Sequence, residues 1–438
     1  MSTYNYIKIH GLRITMYSAE VAASMLISMC GDNDSQVLFL LSLVEDCEQP
    51  TQWINCISGI VDELKIQKPK WQVFLVLHSW WRYYDADIKT IAVNDKIYIE
   101  FFALKHARNA NINPEFKAVT HWSPTNNKFL FLTGVPTRIN RVRLLYKLKT
   151  AGMIDHCQWS LFPSLDNDFV LTRIHRYLPE LSTVELKNFL IEHANNPDNV
   201  SVDTSGIGNF LSDGRLQNNC RFDHNDATSY DSKLYSGTDF SLISETYFRD
   251  TEQPWITEKT WRAIQNCHPF IIAGDTNSSC YIHRYRFLSF EKYLAFPDYD
   301  TISDSEQRLD AVVENVKYWS ANIKKHKDDI EKRVMYNKNR FQAFYKEILE
   351  SIDSFNKKNQ IYLDVDKFLQ MRTELLHILE QAEIQYPTYL KDKKFCEFYN
   401  SVKDESWPDC TKETDFNQLP SHIKEECITV FGYTPVDQ

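Results

Sequence analysis

A threonine and three charged residues, Thr257-Glu258-Lys259 followed by Arg262, have the spacing of an anion-binding helix start. Thr257 stands where a helix N-cap is expected, and Glu258 and Lys259 fall in the first turn. A helix N-terminus offers unpaired N–H groups and a partial positive charge, so a phosphate group binds well there. Lys259 and Arg262 lie three residues apart and share one helix face, where together they could neutralise a diphosphate.

Two carboxylates accompany these cations. Glu245 follows an apolar run that begins at Phe240, and Glu258 opens the helix, so both could accept hydrogen bonds from sugar hydroxyls. The surrounding residues 239–274 predict a strand, an acidic turn, a helix and a short buried strand. His268 precedes a proline and therefore ends the helix. The alternative interpretation is an ordinary helix whose charged first turn faces solvent.

The run ETYF…ITEKTWRAIQNCHPFIIAG resembles the donor-site signature of the α1,3-fucosyltransferases. It is still more similar to phage and large-virus proteins assigned as glycosyltransferases of this type. The resemblance implies that Lys259 contacts a phosphate of a nucleotide-sugar and that Glu258 contacts its sugar or ribose. The family's F-E-N is Ser244-Glu245-Thr246 here, and its asparagine after the tryptophan-containing turn is absent. The resemblance therefore does not specify the donor sugar.

A basic helix is predicted over residues 139–151, after a strand over residues 129–133 and a glycine-proline turn. A strand–turn–basic-helix unit of this kind starts the donor domain of the fucosyltransferase-like fold and supplies an arginine to the phosphates. The resemblance assigns that role to Arg141, with Arg138 as the second candidate. The alternative is a basic helix with a solvated face.

Strands alternate with helices in the first part of the chain. Apolar runs over residues 4–9, 37–44, 71–77 and 97–102 predict strands, and helices are predicted to open at Ser18 and Thr51. This order indicates a parallel sheet with helices on both faces. Farther on, helices are predicted from residues 278, 305 and 324, and residues 290–296 are predicted to return to the sheet.

The predicted fold class is α/β, with two Rossmann-like domains and a helical C-terminal extension. The resemblance implies the two-domain arrangement called GT-B. We expect an acceptor-binding domain over residues 1–125, a nucleotide-sugar donor domain over residues 126–350 and the extension over residues 351–438. In folds of this type a long C-terminal helix often crosses back to the first domain.

Transfer of a sugar to a hydroxyl requires stabilisation of the leaving diphosphate and, if the anomeric centre inverts, a base for the acceptor proton. Ligands gather at the carboxyl ends of parallel strands, and this base is expected from the first domain. The strand ends there supply Glu45, Asp46 and His78 as candidates, with Asp85 close behind. The sequence does not rank them, and residues of these types at strand ends are more often surface or structural residues than catalytic bases.

No metal is expected, and no cofactor besides a GDP- or UDP-linked nucleotide-sugar that serves as co-substrate. The Asp-Asn-Asp triplets at residues 32–34 and 166–168 match a metal-binding pattern equally well, which shows how unspecific the pattern is. The 10 cysteines include no close pair with zinc-site spacing and are interpreted as reduced thiols of a cytoplasmic protein. No secretory signal pattern opens the sequence, and no apolar run approaches the ~18 residues of a transmembrane segment.

The sequence does not identify the acceptor and leaves several classes of molecule possible. A net charge of −10 argues against broad nonspecific nucleic-acid binding and favours a carbohydrate or protein acceptor. The basic helix keeps hydroxylated bases of viral DNA as an alternative acceptor, which would need base flipping. Functions of other classes are a non-catalytic sugar- or nucleotide-binding protein and a structural protein that binds nucleic acid.

Overall fold

The computed structural model describes the chain over residues 3–9, 18–30, 36–42, 50–112, 118–124, 128–134, 139–161, 188–189 and 232–365. Within these residues the strands are β1 (Thr3–Ile9), β2 (Gln36–Ser42), β3 (Gln72–His78), β4 (Asp95–Ile99), β5 (Phe129–Gly134), β6 (Cys157–Leu161), β7 (Phe240–Ser244) and β8 (Phe270–Ala273). The helices are α1 (Ala19–Cys30), α2 (Pro50–Gln67), α3 (Asp85–Ile88), α4 (Phe101–Ile112), α5 (Ile139–Thr150), α6 (Ser232–Ser236), α7 (Glu258–Gln265), α8 (Ser278–Arg284), α9 (Ser305–Asn322) and α10 (Lys327–Asn359).

The described strands form two sheets of four strands each, and every pairing in both sheets is parallel. Parallel strands need crossover connections, and the helices supply them. The predicted fold class, α/β with two Rossmann-like halves and a helical C-terminal part, is confirmed.

The first sheet has the order β1-β2-β3-β4, and successive residues of its strands contribute to different cores. Leu38, Leu40 and Leu75 pack with helices α1 and α2 on one face. Phe39 and Phe74 belong to the core on the other face. The two-residue alternation of side chains along a strand explains this division, because both faces of the sheet are buried.

The second sheet has the order β6-β5-β7-β8, so the chain reverses its direction of travel across the sheet between β6 and β7. Helix α9 packs beside this sheet, and its Trp319 ring lies 4.8 Å from that of Phe240. Trp261 of α7 is fully buried against Phe341 and Phe344 of α10. The reversal places a topological switch point at the carboxyl ends of β5 and β7, where open α/β sheets bind their ligands.

Helix α10 starts beside the second sheet and ends against the first, as expected for a helix that crosses back. Phe355 packs on Phe74 of β3 with ring centroids 5.8 Å apart, and Lys358 bonds to Asp95 at 2.7 Å. The boundary predicted at residue 350 falls inside this helix, and the extension beyond residue 365 lies outside the described residues. The domain limits therefore stay predictions.

Two sequence-based assignments of strands were wrong. The strand predicted over residues 97–102 ends at Ile99, and helix α4 begins at Phe101. The aromatic pair Phe101-Phe102 extended the apolar run without extending the strand. Residues 290–296 form a single 3₁₀ turn, Glu291–Tyr293, and not a strand. Phe290 is buried there against Phe270 of β8, so burial and not strand pairing explains the apolar run.

Candidate functional site

Glu245 lies directly after β7 at the switch point, and its carboxylate is fully buried. Oε2 accepts hydrogen bonds from the N–H of Thr257, at 3.2 Å, and from its hydroxyl. Oε1 accepts a hydrogen bond from the Thr260 hydroxyl at 2.6 Å. Burial raises the pKa of Glu245, and the Lys259 charge and the two hydroxyls offset part of that rise. Glu245, predicted to bind donor hydroxyls, is thus engaged in holding the first turn of α7 against β7.

Helix α7 has regular ends that the sequence largely predicts. Thr257 is the N-cap with extended backbone, but its hydroxyl donates to Glu245 and makes no capping bond to the helix. At the other end Cys267 adopts a left-handed φ of 52°. The N–H groups of Cys267 and His268 donate to the carbonyls of Ile264 and Ala263, the bonds of a Schellman motif. A cysteine therefore occupies the position that glycine usually takes.

The charged groups of the first turn of α7 lie together and remain partly accessible. Lys259 Nζ donates to Glu258 Oε1 at 2.7 Å and to Thr257 Oγ1 at 2.9 Å. The side chains of Lys259 and Glu258 are 18% and 14% exposed. Burial raises the pKa of Glu258, but the neighbouring charges of Lys259 and Arg262 more than offset this and bring it to about 2. Glu258 is therefore an ionised hydrogen-bond acceptor at neutral pH.

The N-terminus of α5 reaches the same edge of the sheet. Asn140 Nδ2 donates to Ser244 Oγ and to the Glu245 carbonyl, both at 3.3 Å. Arg141 follows in the first turn of α5 and is buried. The structure thus brings the start of the basic helix to the end of β7. The phosphate-binding role that the resemblance assigns to Arg141 stays a prediction. Arg138, the second candidate, lies outside the described residues.

A third group at this edge follows β8 and was missed by the sequence analysis. Gly274 allows close approach, because a Cβ there would lie 2.9 Å from Ser278 Oγ and 3.2 Å from Glu245 Cβ. Asp275 comes next, is fully buried, and forms a bidentate ion pair with Arg249 from the loop between β7 and α7. The signal that could have found Asp275 is its place directly after a buried parallel strand.

His78, a candidate catalytic base, is completely buried at the end of β3. Its Nε2 bonds to Glu100 Oε1 at 2.9 Å, and its Nδ1 accepts the Trp80 N–H at 3.1 Å. The second oxygen of Glu100 accepts hydrogen bonds from Ser79 and, across the junction of the two halves, from Tyr281 at 2.7 Å. Both ring nitrogens of His78 are therefore engaged within the protein.

The other candidate bases, Glu45 and Asp46, lie outside the described residues. Asp85 lies in α3, where Lys89, Tyr98 and Lys96 hold its pKa far below its usual range. In the part of the chain that the structure describes, no three His, Cys, Asp or Glu side chains converge as metal ligands would. The helices described there also include none long and apolar enough to cross a membrane.

Comparisons with known proteins give only a distant structural similarity for this chain. The sequence matches no protein-family model. It also matches no curated protein. Among solved structures, the fold is similar to a UDP-forming α,α-trehalose-phosphate synthase from Burkholderia xenovorans, at 8% identity, with 76% of each chain covered and a TM-score of 0.35. A likeness this distant supports no conclusion about activity. The resemblance to the fucosyltransferases is not confirmed and stays a prediction.

Proposed function

We propose that this chain is a glycosyltransferase that moves a sugar from a nucleotide diphosphate sugar to a hydroxyl of a glycan or protein, without a metal ion. Its donor site lies at the carboxyl end of the second sheet, and the acceptor approaches from the first half. In the reaction the acceptor oxygen bonds to the anomeric carbon and its hydroxyl proton passes to a base. The bond from that carbon to the diphosphate oxygen breaks, and the diphosphate leaves with the electron pair.

The observation that supports the proposal best is the place of Lys259 in the first turn of α7, at a topological switch point that the start of the basic helix α5 also reaches. Lys259 lies where the helix N-terminus adds its own positive potential, and Arg262 follows one turn later, where its charge still acts on Glu258. Arg141 lies in the first turn of α5, next to Asn140, which bonds to the end of β7. A diphosphate needs such charge compensation most when it leaves with a full negative charge. Glu245 supports this arrangement by fixing the first turn of α7 to the sheet.

The remaining candidates take roles that follow from their contacts. Glu258 is ionised and partly exposed, so we assign it to hydroxyls of the donor ribose or sugar. Thr257 contributes its place at the helix start, while its hydroxyl is used by Glu245. Both ring nitrogens of His78 are already bonded, which argues against it as the acceptor base and leaves Glu45, Asp46 and Asp85 as the candidates.

The proposal is tested by ligand-induced stabilisation, because a ligand that binds only the folded state raises the apparent melting temperature. Wild-type protein is screened against GDP, UDP, ADP and their sugars, with EDTA present. One nucleoside diphosphate is expected to stabilise the protein. Lys259→Ala is expected to lower the affinity for that nucleotide about ten- to hundredfold, which is the effect of losing one charge-assisted hydrogen bond.

Lys317→Ala serves as the matched control, since Lys317 also pairs with a neighbouring glutamate on a helix, Glu314 of α9. Its affinity for the nucleotide should equal that of the wild type. Absence of stabilisation by every nucleotide at millimolar concentration would refute the donor site. Binding without transfer or hydrolysis of any nucleotide-sugar would instead favour the non-catalytic binding protein. Transfer to hydroxymethylated DNA, but to no glycan or protein, would identify the alternative acceptor.

A further inference from the structure

Arg249 is an exposed cation held in one orientation by buried groups. Its Nε and Nη2 donate to the two oxygens of Asp275 at 3.2 and 2.8 Å, and its backbone N–H donates to the same carboxylate at 2.7 Å. Asp275 is inaccessible to solvent, whereas 44% of the Arg249 side chain is exposed. One edge of the guanidinium therefore faces the protein, and the opposite edge faces outward.

The plane of this guanidinium and the backbone beneath it are also fixed. The guanidinium carbon lies 4.1 Å from the centre of the Tyr247 ring, a stacked cation–π contact. Buried Arg308 donates from Nη2 to the carbonyls of Phe248 and Arg249 at 3.3 and 3.2 Å. The Thr276 N–H donates to the Arg249 carbonyl at 2.9 Å. A group held so firmly is preorganised to bind, because little side-chain entropy remains to be lost.

The outward edge lies where the two halves meet. The loop that carries Arg249 contacts the first half through Gln253, whose Oε1 accepts from Tyr84 at 2.5 Å and whose carbonyl accepts from Trp80 Nε1 at 3.2 Å. Burial lowers the pKa of Arg249, but the hydrogen bonds and charge of Asp275, with smaller contributions from Tyr247 and Tyr84, more than offset this and raise it. Within the described residues Nη1 of Arg249 makes no hydrogen bond, so its donors remain available.

The charges around Arg249 favour a neutral ligand over a phosphate. Asp275 neutralises the guanidinium directly, and Asp250 and Glu252 add negative charge in the same loop. Helix α7 differs, because Lys259 in its first turn and Arg262 one turn later both act on the accessible carboxylate of Glu258. An arginine neutralised by a carboxylate and stacked on an aromatic ring offers directed N–H donors without excess charge. Sugar hydroxyls are ligands of this kind.

We propose that Arg249, with Tyr247 behind it, donates hydrogen bonds to hydroxyls of the sugar that is being transferred. The inference rests on the proposed function. The loop starts after Glu245 and ends at Thr257, so it spans the diphosphate position and extends toward the first half. A sugar attached to that diphosphate lies within reach of this loop and is directed toward the acceptor. Arg249 therefore selects among nucleotide-sugars that share one nucleotide.

The test compares two affinities in each variant: that for the nucleoside diphosphate which stabilises the wild type, and that for its nucleotide-sugars. Arg249→Lys keeps the charge but loses the planar fork. We expect it to bind the nucleoside diphosphate within about twofold of wild type and the preferred nucleotide-sugar about tenfold more weakly, the effect of roughly one hydrogen bond. Tyr247→Leu keeps the ion pair and should show a smaller loss of the same kind.

Arg340→Lys is the matched control, because Arg340 also forms a bidentate ion pair, with Glu347, and lies over the Phe344 ring on α10. It should change neither affinity. Equal losses for both ligands in Arg249→Lys would place the arginine on the phosphates and overturn the inference, as would no loss for either ligand. Should Arg249→Lys fail to fold, Tyr247→Leu decides by the same comparison. A wild-type protein that binds no nucleotide would refute the proposed function itself and this inference with it.

Discussion

At the carboxyl end of the first sheet, His78, Ser79 and Glu100 bond to one another and to Tyr281, and all four are buried. At the carboxyl end of the second sheet, Lys259 and Glu258 pair in the first turn of a helix and keep part of their surface accessible. Both edges thus carry polar groups of similar types. Among these described groups, those of the first edge are closed to solvent, whereas Lys259 and Glu258 of the second edge stay within reach of a ligand.

Strand order accounts for much of this difference. The first sheet runs β1-β2-β3-β4 without reversal, so successive crossovers continue in one direction across the sheet. The second sheet reverses between β6 and β7, and the helices that follow β5 and β7 diverge at that point. A crevice opens only where neighbouring crossovers diverge. Polar residues at strand ends therefore indicate a ligand site only when the strand order is also known.

A buried glutamate at each edge shows what the polar groups do instead of binding ligands. Glu100 accepts from His78 and Ser79 of the first half and from Tyr281 of the second, and so links the halves. Glu245 accepts from Thr257 and Thr260 within the second half and holds the first turn of α7. In both cases the carboxylate organises the protein around it.

The largest expected effect comes from removing the junction carboxylate. Glu100→Ala leaves the buried donors of His78, Ser79 and Tyr281 without their acceptor and is expected to lower the free energy of unfolding by about 3–5 kcal/mol. Chemical denaturation measures the loss. The control is Glu347→Ala, which removes an exposed carboxylate from its pair with Arg340 and should cost at most about 1 kcal/mol. Similar costs for both variants would contradict the tight junction described for the first edge.

An intermediate effect is expected from crowding the second edge. Gly274→Ala places a methyl group 2.9 Å from Ser278 Oγ and 3.2 Å from Glu245 Cβ, and should cost about 1–3 kcal/mol of stability. Because Glu245 holds the helix start, nucleotide affinity should fall as well. The double variant Gly274→Ala with Ser278→Ala removes the closest contact but keeps the one with Glu245. It should therefore recover only part of the lost stability and nucleotide affinity. Unchanged stability and affinity in Gly274→Ala would show that this edge has room to adjust.

The smallest effect at neutral pH is expected at His268, the buried histidine of the second half. Its nitrogens bond to the neutral groups Ser241 Oγ and the Thr238 carbonyl, whereas His78 in the first half bonds to a carboxylate. Burial lowers the pKa of His268 from 6.5 to about 4, opposed in part by the bond to Thr238. Its contribution to stability is therefore complete above pH 6.5 and is lost progressively as the pH falls from 6.5 through about 4.

The measurement is the free energy of unfolding of wild type and His268→Gln at several pH values. Between pH 7.5 and 5.5 the wild type should lose about 1 kcal/mol more than the variant, since only the unfolded wild-type chain takes up this proton. Parallel profiles for the two proteins would show that His268 is not held neutral in the fold.

Local patterns predicted the elements of the second edge well. Thr257 as N-cap, the proline after His268 and the apolar runs on either side were sufficient to place β7, α7 and β8. The same reasoning extended β4 through Phe101-Phe102, because two aromatic residues continue an apolar run whether the backbone is a strand or a helix. Local periodicity cannot separate these states when the run is short.

The amino-acid sequence by itself determined that the chain forms parallel α/β units and that a helix with Lys259 and Arg262 on one face starts after β7. These properties follow from residues a few positions apart. The tertiary structure alone decided which polar groups remain available. Glu245 meets Thr257 and Thr260, Arg249 meets Asp275, and His78 meets Glu100 across 12 to 26 residues of chain. Each pairing depends on how strands and helices pack, because a buried carboxylate or imidazole costs free energy unless the fold places a hydrogen-bond partner beside it.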